Sequence, residues 1–378
     1  MDRETTRALT RRGFLGRVAV AGVVPLLVAC QAGPSQPSPT GAVAQATATA
    51  ARPMTSAGAT AAAPGAASPA RTVSPGAAGS PARPPGSPAA PSGPGQWTRK
   101  APVPTPRSEV AVATVGDKIY VLGGFSRGAN SNEEYDVGAD TWRQRASLPK
   151  GLNHAAAVGV GAKLYLLGGY GDNGRPVADL YEYDPATDAW RPLAPMPTAR
   201  GALAAAAIDG KIYAVGGVGP QGGDTPALEV YDPATNSWRR LRALPTARDH
   251  LAAAVVGGLL YVVGGRLNDF ARNLGTNEVY DPRADAWTSR RELPTPRSGI
   301  AAAVLRDRIY VFGGENPQKA FDENEEYDPA TDSWVARGRM PTARHGLGAA
   351  AVGESIYVLA GGPTPGGSES GANEAFSL

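Results

Sequence analysis

The chain has 378 residues, among them 48 Gly, 35 Pro and a single Cys. Its formal charge of +3 is unevenly distributed, because residues 1–96 carry a net charge of +6 and residues 97–378 a net charge of −3. A net negative charge in the second part argues against the basic stripe of a nucleic-acid-binding protein, and one Cys excludes an intramolecular disulfide.

Residues 1–30 have the features of an export leader. The segment TRRGFLG at residues 10–16 resembles the twin-arginine signal, although Gly16 replaces its usual Lys. An apolar run of 12 residues follows at 18–29, too short for a membrane span of ~20 residues. A general secretory signal that happens to contain Arg-Arg is the alternative.

The apolar run ends in LVAC at residues 27–30, which resembles a bacterial lipobox. That resemblance implies that Cys30 becomes the acylated N-terminus of the mature protein. A plain secretory peptide with an incidental Cys is the alternative. We therefore expect an extracytoplasmic lipoprotein, held by its lipid anchor at the cell surface or on the periplasmic side of a membrane.

Residues 31–96 consist mostly of Ala, Pro, Ser, Gly and Thr and contain no acidic residue. Such a composition cannot bury enough apolar surface to offset the entropy lost on ordering. We predict a disordered tether, which as a loose coil would span ~45 Å.

Residues 97–378 contain six copies of one pattern. Each copy has an apolar run that ends in Gly-Gly, with the pairs at 123–124, 168–169, 216–217, 264–265, 313–314 and 361–362. All six Trp recur with the same period, as Trp97, Trp142, Trp190, Trp238, Trp287 and Trp334. A period of 40–50 residues with strand-like segments is typical of propeller blades.

The order of apolar strand, Gly-Gly, Glu-x-Tyr-Asp-Pro segment and Trp resembles the kelch repeat over residues 97–378. The resemblance implies an all-β fold, a six-bladed β-propeller. Trp97 has no earlier strands of its own repeat, and Phe376 has no outer strand after it. We therefore predict that the Trp97 strand pairs beside Phe376 and closes the sixth blade, which removes an exposed sheet edge.

Five repeats carry an Arg three places after the repeat's Pro and a Glu two places before the strand Tyr or Phe. The second repeat lacks both and has Leu152 and Tyr181 instead. The shared exception predicts a bidentate Arg–Glu brace within each blade, replaced in the second by an apolar contact. In kelch ligand-binding domains the same Arg position also faces the ligand, so ligand contact is the alternative role.

Function is expected in residues that differ between blades. Two sets of loops share the Arg face, and in blades 1, 2, 4 and 5 they are rich in aromatic, amide and charged residues, whereas those of blades 3 and 6 are mostly Gly and Pro. The predicted binding residues are Phe125, Arg127, Asn153, His154, Tyr170, Asp172, Asn173, Arg175, Asp249, His250, Arg266, Asn268, Glu315 and Asn316. Solvated loops without a ligand are the alternative interpretation.

All three His residues of the chain, His154, His250 and His345, fall at this face. Three His around an axis suit zinc. However, His345 lies one position earlier in its repeat, so its side chain should point to the other side of the strand. We therefore predict no metal and no cofactor.

The leading hypothesis is a monomeric, non-catalytic recognition module whose partner is a glycan, a cell-wall component or a protein. The alternative is a sugar-active enzyme, because the repeats are similar to those of the periplasmic sialic-acid mutarotases. Its acid–base candidates are Glu109, His154, Asp249, His250 and Glu315. Copper radical chemistry of the galactose-oxidase type needs a Tyr–Cys crosslink. Because the one Cys lies in the lipobox, we expect no such chemistry here.

Overall fold

The computed structural model describes residues 93–125 and 128–378, all within one unit, Pro75–Leu378. The leader, Cys30 and nearly all of the predicted tether lie outside the described residues, as does Arg127. The first described strand, β1, begins at Gln96. Among the described residues no helix is long and apolar enough to cross a membrane.

The fold is a six-bladed β-propeller, and each blade is a four-stranded antiparallel sheet. The innermost strands are short and rich in Ala, because they crowd around the axis: β2 (Ala111–Val115), β6 (Ala156–Val160), β10 (Ala204–Ile208), β14 (Ala252–Val256), β18 (Ala301–Leu305) and β22 (Gly348–Val352). The second strands are almost fully buried, which explains their continuous apolar runs: β3 (Lys118–Leu122), β7 (Lys163–Leu167), β11 (Lys211–Val215), β15 (Leu259–Val263), β19 (Arg308–Phe312) and β23 (Ser355–Leu359).

The third strands carry the repeated Tyr or Phe: β4 (Asn132–Asp136), β8 (Leu180–Asp184), β12 (Leu228–Asp232), β16 (Asn277–Asp281), β20 (Asn324–Asp328) and β24 (Asn373–Ser377). The outer strands carry the Trp: β5 (Thr141–Gln144), β9 (Ala189–Pro192), β13 (Ser237–Arg240), β17 (Ala286–Arg290), β21 (Ser333–Ala336) and β1 (Gln96–Arg99). The hydrophobic core is therefore divided into six clusters, each formed between two neighbouring blades.

The predicted ring closure is confirmed. Strand β1 pairs with β24 in the sheet β1-β24-β23-β22, with Trp97 opposite Phe376. The Trp97 ring also lies 5.9 Å from the ring of Phe312 in the fifth blade. The two chain ends thus complete one blade and join the first blade to the last.

Each Trp connects two blades. Its indole N–H donates to a backbone carbonyl of the preceding blade at 2.8–2.9 Å, for example from Trp238 to Ala194 and from Trp97 to Gly338. Because a buried Trp N–H needs a partner, this repeated bond sets how far each blade lies from the next.

The Arg–Glu brace is confirmed in five blades. The Arg and Glu side chains approach to 2.5–2.8 Å in four blades, Arg297 and Glu325 make the same contact in the fifth blade, and all five Arg are fully buried. The pairing is not bidentate as predicted. One carboxylate oxygen accepts from Arg and the other from a Thr hydroxyl. Further Arg N–H groups donate to backbone carbonyls in or just after the second strand, as Arg248 does to Val262 and Gly264.

Full burial of the five Arg removes them from the surface that a ligand reaches. In the second blade, Leu152 is buried and Tyr181 packs at the edge of the same hydrophobic cluster. The pair is therefore structural in all six blades.

Candidate functional site

Six residues, one per blade, form a closed ring of backbone hydrogen bonds around the axis. They follow the repeated Arg by two positions, and we call them the mouth ring: Glu109, His154, Ala202, His250, Gly299 and Gly346. From the second blade onward each N–H donates to the carbonyl of the preceding member at 2.9–3.0 Å, and the N–H of Val110 closes the ring onto Gly346 at 3.4 Å. The ring therefore holds these six Cα atoms at fixed positions around the axis.

All six members adopt the left-handed backbone conformation, with φ between 51° and 66°. Gly299 and Gly346 do so without strain, but a residue with a Cβ pays about 1–2 kcal/mol. Strained backbone of this kind clusters at functional sites. Three of the non-glycine members, Glu109, His154 and His250, carry titratable side chains.

These side chains lie in a cavity of about 380 Å³ at the propeller mouth. Its lining includes six predicted site residues, together with Ser108, His345 and the 366–369 loop of the sixth blade: Glu109, Phe125, His154, His250, Arg266 and Glu315. The Gly-rich loop of blade 6 thus forms one wall of the cavity, beside residues from blades 1, 2, 4 and 5, in which we expected function. The sequence feature that could have predicted this wall is Glu369, a charged residue in a loop otherwise composed of small residues.

The Glu109 carboxylate lines the cavity between two imidazoles. Its side chain is 12% exposed, with one oxygen 3.3 Å from Nε2 of His154 and the other 3.7 Å from Nε2 of His345. Among the described residues, no donor makes a hydrogen bond to this carboxylate. Burial raises its pKa, but the surrounding imidazoles and Arg266 outweigh burial and hold the pKa below the usual value.

His154 is held from three sides. Its Nδ1–H donates to Oδ1 of Asn153 at 2.7 Å, and its ring makes edge contacts with Tyr170 and Phe125 at 5.3 and 5.6 Å. Burial lowers the pKa of His154 to about 4, although Glu109 opposes the shift. Asn153 and Tyr170, both predicted as binding residues, therefore support His154 and do not line the cavity.

His250 is oriented by a carboxylate and a guanidinium. Its Nδ1–H donates to Asp249, which is buried, and its Nε2 accepts from Arg266 at 3.0 Å. Arg266 also donates to Asp249 at 3.0 Å and to Glu315 at 3.2 Å. All three nitrogen atoms of this guanidinium are thus already in use.

The carboxylates behind His250 have opposite pKa shifts. Burial raises the pKa of Asp249, but the hydrogen bond and charge of His250 outweigh it and the net shift is downward. Burial, and the neighbouring Asp249, raise the pKa of Asp224 to about 8. Asn268 caps Asp249 through its backbone N–H at 3.0 Å, so it too supports the site from behind.

The prediction that His345 points away from the other two His is wrong. Its register is as expected, since it pairs with Gly362 just as Asp249 pairs with Arg266. However, a Cβ on Gly362 would lie 2.5 Å from the His345 ring, so the imidazole uses space that a side chain fills in other blades. His345 therefore reaches the shared cavity, with Nδ1 3.0 Å from the Gly362 carbonyl.

The structure does not bring every predicted residue into the cavity. Asp172, Asn173 and Arg175 are exposed in a turn of the second blade, where Asn173 caps the N–H of Arg175 at 3.0 Å. Asn316 caps its own turn by accepting from Gln318 and Lys319. Polarity alone could not separate these turn-forming residues from those that line the cavity.

Comparison with known families and structures agrees with this geometry. The chain matches the family model described as "KLHDC2/KLHL20/DRC7 Kelch-repeats domain" over residues 143–291, and the model described as "Kelch motif" over 106–149 and 296–341. The chain carries kelch motifs in a six-bladed β-propeller. No curated protein matches.

Among the solved structures that match this kelch propeller is that of YjhT, with a TM-score of 0.65 and 17% identical residues. The alignment covers 72% of this chain and 95% of the YjhT chain. At this identity the likeness establishes the shared fold only.

Proposed function

We propose that the protein is a lipid-anchored, extracytoplasmic recognition module that binds a carbohydrate in the mouth cavity. A volume of about 380 Å³ lies within the range of small-molecule sites. Cys30 would carry the proposed lipid anchor, and the predicted tether at residues 31–96 would hold the cavity away from the membrane.

The observation that carries the proposal is the pairing of an exposed aromatic ring with a carboxylate, that of Glu109, which accepts no hydrogen bond from the described residues. Phe125 is 54% exposed at the cavity wall, although most large apolar side chains of the propeller are buried. Glu109 and Glu315 line the same cavity, and Glu315 already accepts from Arg266 and from the backbone N–H of Gly366. A sugar offers an apolar ring face for Phe125 and several hydroxyl donors for the carboxylates, so it complements both features.

The charge of the cavity favours a neutral sugar. Among the described residues that line it, Glu109, Glu315 and Glu369 stand against one cation, Arg266, whose nitrogen atoms already have partners. A sugar acid would bring its carboxylate towards three others. In metal-free protein we therefore expect neutral glycans to bind more tightly than sialic acid.

A glycan array tests this proposal, with the full chain carrying Cys30→Ala so that no lipid is attached, in the presence of EDTA. We expect a neutral glycan to bind, and Phe125→Ala to weaken binding about 2–10-fold, as expected for loss of one aromatic contact. Phe270→Ala is the matched control, because that ring is 37% exposed but lies outside the cavity lining. Binding to a protein partner without any glycan, or unchanged binding by Phe125→Ala, would contradict the proposal.

A second candidate function is epimerase or mutarotase activity on a neutral sugar. It is favoured by the Glu109 carboxylate, which lies 3.3 Å from His154 inside a cavity of ligand size. A positioned carboxylate and imidazole are the usual groups for proton transfer. Anomer exchange measured by NMR should then accelerate in proportion to protein concentration, whereas simple binding leaves the exchange rate unchanged.

The anchor is tested separately. Labelled fatty acid should be incorporated into the wild-type chain and not into Cys30→Ala, when both are expressed in a bacterial host. Equal labelling of the two chains, or none in either, would leave the recognition module without its proposed anchor.

A further inference from the structure

The mouth ring brings one carboxylate and two imidazoles together on the propeller axis. One ligand atom from each of Glu109, His154 and His250 lies within 4.8 Å of the other two. The three residues come from blades 1, 2 and 4, and the backbone hydrogen-bond ring fixes their Cα atoms. The cluster is thus built into the most rigid part of the mouth.

The hydrogen bonds behind the two imidazoles decide which nitrogen faces the cavity. Nδ1–H of His154 donates to Asn153, and Nδ1–H of His250 donates to Asp249. Each ring therefore turns the lone pair of Nε2 towards the axis. Oriented imidazoles with such outer partners are the usual arrangement around a bound metal ion.

Two imidazoles present acceptor nitrogens to the Glu109 carboxylate, whereas Nε2 of His250 already accepts from Arg266. The Nε2 lone pair of His154 lies 3.3 Å from a Glu109 oxygen, and that of His345, whose Nδ1–H donates to a carbonyl, lies 3.7 Å from the other. No described residue donates a proton between them. Acceptors placed so close repel one another unless a cation or a donor lies between them.

We propose that Glu109, His154 and His250 bind a divalent transition-metal ion, of which Zn²⁺ is the type, at the propeller mouth. Imidazole nitrogen and carboxylate oxygen bind such ions at about 2.0–2.2 Å. Donor atoms on one ion then lie at most about 4.2 Å apart, so side-chain adjustments of about 1 Å complete the site. The remaining coordination positions face the cavity and are open to a ligand.

Arg266 competes with the ion for His250. One guanidinium nitrogen donates to Nε2 of His250 at 3.0 Å, and the others donate to Asp249 and Glu315. Metal binding requires that Arg266 release only the bond to His250. Replacing Arg266 removes a competing donor and a positive charge, and both changes should strengthen metal binding.

The test is calorimetric titration of the full chain carrying Cys30→Ala with Zn²⁺, and the visible spectrum of the Co²⁺ form. We expect one ion per chain and Co²⁺ bands typical of a low-coordinate site. Loss of an outer partner costs roughly 10–100-fold in affinity, so Glu109→Gln and His154→Asn should cost at least that much. Asn is chosen because it tolerates the left-handed conformation of position 154.

Two further variants separate this site from non-specific binding. Glu354→Gln is the matched control, because this exposed carboxylate pairs only with Arg306 on the surface and should leave the affinity unchanged. Arg266→Gln should raise the affinity. The proposal is overturned if Zn²⁺ does not saturate at one ion per chain, or if Glu109→Gln binds as the control does. Thermal melts of each variant show that it folds.

The result stands apart from the carbohydrate proposal, because the titration contains no sugar and the glycan array contains EDTA. Repeating the array with Zn²⁺ connects the two. A bound divalent ion offsets the carboxylates of the cavity, so the preference for neutral over acidic sugars should shrink when Zn²⁺ replaces EDTA.

Discussion

Replacing Arg248 by Leu tests whether the repeated Arg–Glu pairs hold the blades together. Arg248 is fully buried and makes four hydrogen bonds, to Glu278 at 2.5 Å and to the carbonyls of Gly264, Thr246 and Val262 at 2.8–2.9 Å. Its loss leaves the Glu278 carboxylate buried without its cation, a change that typically costs about 3–5 kcal/mol. We expect the free energy of unfolding to fall by about 4 kcal/mol.

The second blade supplies the control, because Leu152 and Tyr181 stand there in place of the charged pair. Arg248→Leu combined with Glu278→Tyr imitates that blade and removes the unpaired charge. Three carbonyls still lose a donor, each worth about 0.5–1.5 kcal/mol. The double variant should therefore lose about 3 kcal/mol and be more stable than Arg248→Leu alone.

The measurement is urea unfolding of the full chain followed by Trp fluorescence, since each blade carries one Trp. The slope of the free energy against urea should not change, so that midpoints report stability alone. A loss below about 1 kcal/mol for Arg248→Leu would show that the pair is not a brace. A double variant less stable than the single one would show that the unpaired Glu278 carboxylate is not the main cost of removing Arg248.

Three other predictions concern ring closure, pH and the mouth. Phe376→Ala should lower the free energy of unfolding by about 3–5 kcal/mol, because this fully buried ring pairs the two chain ends; a loss below 1 kcal/mol in urea unfolding would contradict the closure. A hydrogen bond from the Tyr280 hydroxyl lowers the pKa of Asp285. The contribution of Asp285 to stability is therefore complete above its unfolded pKa of about 3.9 and is lost as the pH falls through the folded pKa. Asp285→Asn, which copies Asn236 of the third blade, should therefore lose less stability between pH 7 and pH 3 than the wild type, and an equal loss would contradict this role. Gly346→Ala places a Cβ 2.4 Å from a Glu109 oxygen. The free energy of Zn²⁺ binding measured by calorimetry should therefore weaken by at least as much as the free energy of unfolding. Unchanged Zn²⁺ affinity would contradict the placement of that carboxylate.

The fold could be predicted because its information is local and occurs six times. Each repeated feature serves one purpose in a blade: Gly-Gly forms a turn, the strand Tyr fills the core, and Trp238 and its equivalents contact the neighbouring blade. Because Leu152 and Tyr181 are exceptions in the same repeat, the contact between these two positions, far apart in the sequence, could be predicted from the sequence alone. The bidentate geometry was wrong, because the sequence does not show that a Thr hydroxyl already occupies one carboxylate oxygen.

The amino-acid sequence by itself determined the six blades, their closure by Trp97 and the face on which the unrepeated residues lie. Only the tertiary structure decided which of those residues meet. Convergence on the axis depends on the left-handed mouth ring, which places Glu109 between imidazoles from other blades, and on the space above Gly362 that admits His345. Both are properties of neighbouring blades in contact, and no single repeat contains them.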